Sequence, residues 1–546
     1  MLDRFREFGS RILSTLRPNN AGSHLSQTSR NRITMFRTWC ARKWRRLVRI
    51  TVVLTGFTLF AATQLWLAQM IVEGKWYFVL ELLIAAASLT LMIIKPMYAL
   101  VLWILFSPLV SRLFSLDWGA GLPALTFDRS VIYPLAIILF IRGLARRTKI
   151  HLKLGEWLLL AFPFYILCTG PFFQYSSITT YGLMLMHRAV DLCILYFVVK
   201  SCISEQRHVV WIVISLIVVG CYSALMGFYD HFTGKMSLVA LIGMKAGLIW
   251  SDVGGRAAGP YLNPALLAMF LGITAALAYH YAGSARSAAA RILCLVILPV
   301  MVLSCYWTYT RGGYLVLILS FLLMVFLAKS GRKRYVMFLL AGILVVVVAV
   351  PAAMSNKQVR YRLTNDATAK SRIVAAAALI NTVKHHPWFG VGLGNGNVEM
   401  VKYVESVRDI PGMRIWEGIG TWPKQFELPE HTTSHSTYLT VLADHGIIGA
   451  LIYVSMYLAF FAHLWRVRQC LPESGLLSAN FAALVITLLL GFTLSINTLR
   501  VDNHEYVTCA VWILIAATIR LGELLPGEAK EVMGKTVPAK VQAVPA

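Results

Sequence analysis

Tyr335–Val350 reads YVMFLLAGILVVVVAV and Phe481–Ser495 reads FAALVITLLLGFTLS, and neither stretch holds a charged residue. An α-helix needs roughly 20 predominantly apolar residues to cross about 30 Å of hydrocarbon, and both blocks come close to that length. The rest of the 546-residue chain has the same character, with 58% hydrophobic and 14% charged residues, against about 45–50% and about 25% in soluble domains. No soluble core accounts for that balance. Apolar runs bounded by charge, Gly or Pro recur about fourteen times. The expected fold is therefore all-α, a polytopic membrane helix bundle of about 12–14 spans.

The runs divide the chain into a basic tail over 1–49, helices over 50–229, a second set over 230–350, a large loop over 351–436, helices over 437–523 and a tail over 524–546. The first two spans are expected near Thr51–Met70 and Trp76–Ile94, and the block Ser130–Ile141 is short enough for half-insertion. Within the large loop, Lys370–His385 reads as a surface helix lying near the headgroups. No internal repeat suggests the paired halves of a secondary transporter.

A formal net charge of +26 would raise nucleic acid as a partner in a soluble protein. The distribution of that charge argues against it. About a dozen Arg and Lys, including Arg42, Lys43, Arg45 and Arg46, precede the first apolar block, which is the pattern of a cytoplasmic topology anchor. That block lies too far along for a cleaved signal peptide. With the N-terminus inside, the basic turns Arg142–Arg147, Arg286–Arg291, Lys329–Arg334 and Arg466–Arg468 all fall on the cytoplasmic side, as does the C-terminus. The long segments Asp230–Asn263 and Pro351–Ser436, and the short turn Asn497–Glu505, then face outward. None of the nine cysteines falls in the two long segments, and no spacing resembles a metal knuckle.

Arg311 stands in Thr308–Leu315 (TYTRGGYL), with apolar runs on both sides. An arginine at that depth costs several kcal/mol unless it meets an anion. It either pairs with a carboxylate, snorkels to headgroups or binds a ligand, and its planar fork of donors suits phosphate. Gly312 and Gly313 permit close approach of a ligand or of another backbone. Arg256 precedes Asn263-Pro264, which reads as an N-cap followed by proline at the first helical position, so the positive end of that helix points outward. Arg256 is thus a second candidate for phosphate. His435 lies just before an inward-running helix that Ser434 or Ser436 caps, and a histidine at the rim can take a proton from a sugar hydroxyl. The spacing of His431 and His435 would seat two metal ligands, but no third accompanies them and no metal is expected. His386–Asn395 (HPWFGVGLGN) resembles a phosphate loop only superficially and reads as a tight structural turn. Arg500 and Asp502 in the last outer turn are supporting candidates, Asp502 as a group that orients His435 or an arginine. Arg188 and Asp191 have the i,i+3 spacing of an internal salt bridge.

In this order, Arg311 with Leu315 (Arg-x3-Leu), the HPWFGVGLGN run and His435 with Gly446 (His-x10-Gly) resemble the O-antigen ligase and polymerase superfamily. The likeness covers roughly residues 250 to 470. It implies a GT-C-like glycosyltransferase that uses an undecaprenyl-diphosphate-linked glycan, with no nucleotide sugar, cofactor or metal, in lipopolysaccharide or exopolysaccharide biosynthesis at the bacterial inner membrane. By that resemblance Arg311 and Arg256 would hold the diphosphate and His435 would activate the hydroxyl of a glycan, lipid or protein acceptor. Membrane lipid and other polysaccharide assembly proteins are the implied partners. The chain departs from the pattern at Ser436, where many relatives carry Asn, and at Asp444-His445, where Glu is common. A transporter or flippase of lipid-linked saccharide is the alternative, but it predicts ionisable residues at the midplane rather than at one rim. A purely structural scaffold leaves arginines confined between apolar runs unexplained.

Overall fold

The computed structural model describes residues 86–111, 115–116, 125–147, 151–175, 178–237, 256–355, 367–403, 436–496 and 506–525. The chain divides into two compact units, Met1–Ala87 and Ser88–Ala546, and the helices labelled here belong to the second. The basic tail, the span expected at Thr51–Met70, His431, His435, Arg500 and Asp502 lie outside the described residues.

Each of the twelve apolar blocks expected from Met97 onward is a helix. They are α1 (Pro96–Val110), α2 (Phe127–Ala145), α3 (Leu154–Thr169), α4 (Ile178–Cys202), α5 (Gln206–Thr233), α6 (Pro264–Ala282), α7 (Ala288–Trp307), α8 (Arg311–Leu327) and α9 (Arg332–Ser355). After a cap come α12 (Thr437–Cys470), α13 (Ala479–Ser495) and α14 (Tyr506–Glu523); the cap itself contains α10 (Ala367–His385) and α11 (Gly396–Val401). A two-residue antiparallel pair, β1 (Ser115–Leu116) with β2 (Leu125–Thr126), joins α1 to α2. Seven of the helices are long and apolar enough to cross a membrane, and α1, α8 and α13 are shorter apolar helices. The chain is an all-α integral membrane protein. The block expected to be half-inserted, Ser130–Ile141, lies inside the 19-residue α2, about 28 Å long at 1.5 Å per residue. Its N-terminal extension was hidden by Asp128 and Arg129, whose charges are satisfied within the protein: Trp103 and Ser107 donate to Asp128, and Arg129 bonds His187.

The centre of the bundle is α6, buried along nearly its whole length among α5, α7 and α8. Lipid is as apolar as leucine, so contact between helices in a membrane depends on close fit and favours small residues at crossings. Gly313 on α8 lies so close to Ala268 on α6 that an added Cβ would come within 2.1 Å of the alanine Cβ. The glycine therefore serves helix packing, the backbone alternative of the two readings given above.

The helix termini define two ends. At one, here the basic end, Arg468 donates to the carbonyl of Leu327, Arg520 to that of Ile203, and Lys329 N–H to Asn480. The turns Arg142–Arg147, Arg286–Arg291, Lys329–Arg334 and Arg466–Arg468 all belong there by the alternation of the helices. At the other, the cap end, lie Arg256, Arg311 and α10.

Candidate active site

The turn between α7 and α8 builds the site. Thr310 is the N-cap of α8, but its side chain caps no amide of that helix; its hydroxyl donates to the Thr308 carbonyl and accepts from Arg256 Nη2 at 2.9 Å. Arg256 Nε also donates to the Thr308 carbonyl, at 2.9 Å, and Ala257 N–H bonds the Trp307 carbonyl. Arg256 is thereby laced to the turn that presents Arg311, which is the first residue of α8 and exposed. The segment carrying Arg256 is held from beneath by Asp230, a buried carboxylate that accepts N–H bonds from Ala258 at 3.0 Å, Gly259 at 2.6 Å and Ser237 at 2.6 Å. That carboxylate is taken up by backbone amides. Two guanidinium groups therefore meet a helix N-terminus without a side-chain cap, where amide dipoles favour an anion.

A third arginine, missed in the sequence, lies on the cap within electrostatic reach of Arg311. Arg372 on α10 is half-buried, and burial together with the positive charge of Arg311 pushes its pKa below the usual arginine range. Its Nε is buried without a hydrogen-bond partner among the described residues. An anion between two such like charges relieves their repulsion. The cap is fixed to α12 by a satellite core in which Val374, Ala375, Ala378 and Leu379 of α10 pack on Met400 and on Ala443 of α12. The surface helix expected at Lys370–His385 is thus a docked element whose apolar face is turned onto protein. The sequence signal for Arg372 was a lone arginine at the head of that amphipathic run, and nothing local tied it to Arg311.

The described residues that follow His435 lie at the same place. Ser436 caps α12, its hydroxyl accepting from Leu439 N–H. Thr437 N–H bonds the Ile496 carbonyl at 3.0 Å, and Ser495 next to it donates to the Gly312 carbonyl at 2.9 Å. Three elements are thereby tied together: the start of α12, the end of α13 and the Arg311 turn.

The HPWFGVGLGN run takes a structural role. In the middle of α12, Gly446 breaks the helix with φ 64° and ψ −170°. The run supplies the bonds lost there: Ile447 and Ile448 N–H reach the carbonyls of Pro387 and Trp388, while Val391 and Gly392 N–H reach those of Ala443 and Asp444. Irregular backbone at membrane depth survives only with such substitutes. The Asp444 carboxylate, 2% exposed, accepts Gly394 N–H at 2.8 Å, Gly396 N–H at 2.7 Å and Arg188 Nη1 at 3.1 Å. The salt bridge expected within Arg188–Asp191 is therefore replaced by one across the bundle. A π-turn at Met186–Val190 shifts the helical phase between those two residues, and Asp191 accepts instead from the Tyr133 hydroxyl.

Residues 293–454, from α7 through the cap into α12, match the sequence model of the O-antigen ligase family, Wzy_C. No curated protein matches the chain.

Proposed function

We propose, from the match of residues 293–454 to the O-antigen ligase family model, that this chain belongs to the O-antigen ligase/polymerase superfamily and transfers glycan from an undecaprenyl diphosphate carrier to an acceptor hydroxyl on the outer face of the cytoplasmic membrane. The observation that carries this reading is that Arg256 and Arg311 meet at the start of α8, which has no side-chain cap. Its orientation is supported by the basic turns gathered at the opposite end, because Arg and Lys concentrate on the cytoplasmic side.

In the reaction the acceptor oxygen attacks the anomeric carbon and the bond from that carbon to the diphosphate oxygen breaks. Negative charge grows on the departing diphosphate. Arginines already in position stabilise it there without reorganisation, and removing one such donor commonly costs about 10²–10³ in kcat. His435 is assigned to take the acceptor proton, a contribution of about 10²–10⁴; Thr437, two residues on, bonds the Ile496 carbonyl beside Ser495, which in turn bonds Gly312. Arg500 and Asp502 are assigned supporting places at the same rim, with Asp502 orienting the histidine or an arginine.

Arg311→Ala and His435→Ala should each insert and express normally yet abolish transfer in a reconstituted assay with a polyprenyl-diphosphate-linked glycan. Near wild-type transfer by either variant would remove the assignment. The acceptor is identified by surface polysaccharide after deletion: loss of long chains indicates a polymerase, whereas long chains retained on the carrier indicate a ligase.

A further inference from the structure

We infer that Tyr309, in the turn between α7 and α8, receives the sugar joined to the carrier diphosphate, its ring lying against the C–H face of that sugar; the inference rests on the donor proposed above. Tyr309 has φ 51°, a left-handed backbone that glycine adopts freely and that a residue with a side chain adopts at a cost. Among the described residues, only Arg147, Leu262 and Tyr309 combine a side chain with such a φ. Arg147 follows α2 at the basic end, whereas Leu262 and Tyr309 lie in the two segments that carry Arg256 and Arg311.

The left-handed residue reverses the chain between two threonines that both face one guanidinium. Arg256 Nε reaches the Thr308 carbonyl and Nη2 the Thr310 hydroxyl, each at 2.9 Å, and Thr310 N–H returns to the Thr308 hydroxyl at 3.2 Å. Glycine would serve that backbone without strain. A tyrosine in its place is accounted for by its ring, because strain of this kind gathers where a site needs a group held in one position. The ring is so held. It meets Tyr306 edge-on, with centroids 5.9 Å apart and planes at 71°, and the Tyr314 hydroxyl donates to the Tyr306 carbonyl. Tyr309 and Arg256 both lie within electrostatic reach of that hydroxyl. Tyr306 is exposed and Tyr309 half-buried, so the pair borders the outside at the arginines. In the donor, the group bonded to the diphosphate is a sugar, and a ring two residues from Arg311 stands where that sugar begins. The negative face of an aromatic ring suits the weakly positive C–H groups of a pyranose. A tyrosine serving only as a headgroup anchor would need no left-handed backbone.

The test measures KM and kcat for a glycan-bearing polyprenyl diphosphate with the full chain, and affinity for undecaprenyl diphosphate without glycan on the same preparations. Tyr309→Gly relieves the backbone and removes the ring. It should not lower Tm, should bind the bare carrier as wild type does, and should raise the KM for the glycan-bearing donor about tenfold, equivalent to about 1.4 kcal/mol. Tyr309→Leu keeps the strained backbone and loses the ring face, so it should show the same rise, and Tyr309→Phe should recover most of it. Arg147→Gly relieves the same conformation at the basic end and should change neither quantity. Wild-type KM in Tyr309→Gly, or recovery by leucine equal to that by phenylalanine, would overturn the sugar contact. Equal weakening of the bare carrier and the glycan-bearing donor would assign Tyr309 to the positioning of Arg256 and overturn it as well. Each of these results leaves the proposed function standing, whereas a wild-type chain that transfers from no polyprenyl-linked donor removes both.

Discussion

Burial and the charge of Arg311 both raise the cost of charge on Arg372, and α10 is pinned by its own small core. This is the residue-scale signature of a site prepared for an anion: the repulsion is present before the ligand arrives and is relieved when it binds. Arg372→Ala should therefore reduce kcat by about 10²–10³, and Arg372→Lys should restore only part of it, since a lysine brings charge without the two-pronged geometry. Steady-state transfer rates for the two variants check this; equal rescue by lysine would mean that charge alone matters. Arg311 and Arg256 stand out in the sequence because each sits against an apolar run where a charge has no cheap place. Arg372 does not, since its neighbours are those of any amphipathic surface helix and its partner is 61 residues away.

The interrupted α12 and the glycine-rich turn act as one element. The turn restores the hydrogen bonds that Gly446 removes, and Asp444 ties its far side to Arg188. Gly390 and Gly392 have φ of 70° and 95°, and a Cβ on Gly390 would come within 2.4 Å of the Ala443 carbonyl, so here glycine is required by conformation and by space. Removing one partner of a buried ion pair costs about 3–5 kcal/mol. Asp444→Ala should lower thermal stability accordingly and raise amide exchange at 390–396 and along α10, with little change in α6. Unchanged exchange in the cap would show that the satellite core alone holds it. The turn's structural character was legible in its Gly spacing and the lack of a following Lys-Ser/Thr. The destination of Asp444 was not, because a bond between a span and a loop some fifty residues earlier leaves no periodicity behind, and the expected Arg188–Asp191 pair was undone by a π-turn that no local pattern announces.

Among the described residues, the basic turns lie at one end of the helices and Arg256 and Arg311 at the other. The basic end is clamped by Lys200, whose Nζ lies 2.5 Å from Glu156 and 2.7 Å from Glu523 and so joins α3, α4 and α14. Lys200→Met leaves the buried Glu156 without its cation, while Glu523 keeps Arg520, and should lower the stability in detergent by about 3–5 kcal/mol, read as a lower Tm, while donor affinity at the far end stays unchanged; a loss of affinity would show that the ends are coupled. Helix existence and order were readable from hydropathy because the hydrocarbon imposes a length on every span, whereas the short α2 expected from its apolar block had its ends obscured by internally satisfied charges. The proposed function assigns a lipid diphosphate to the arginines of the cap end. It is tested most directly by equilibrium binding of undecaprenyl diphosphate to the full-length protein and to Arg311→Ala and Arg372→Ala. The account predicts affinity weakened at least about tenfold in each variant and a rise in Tm on binding that the variants lose; wild-type affinity in both variants would contradict it.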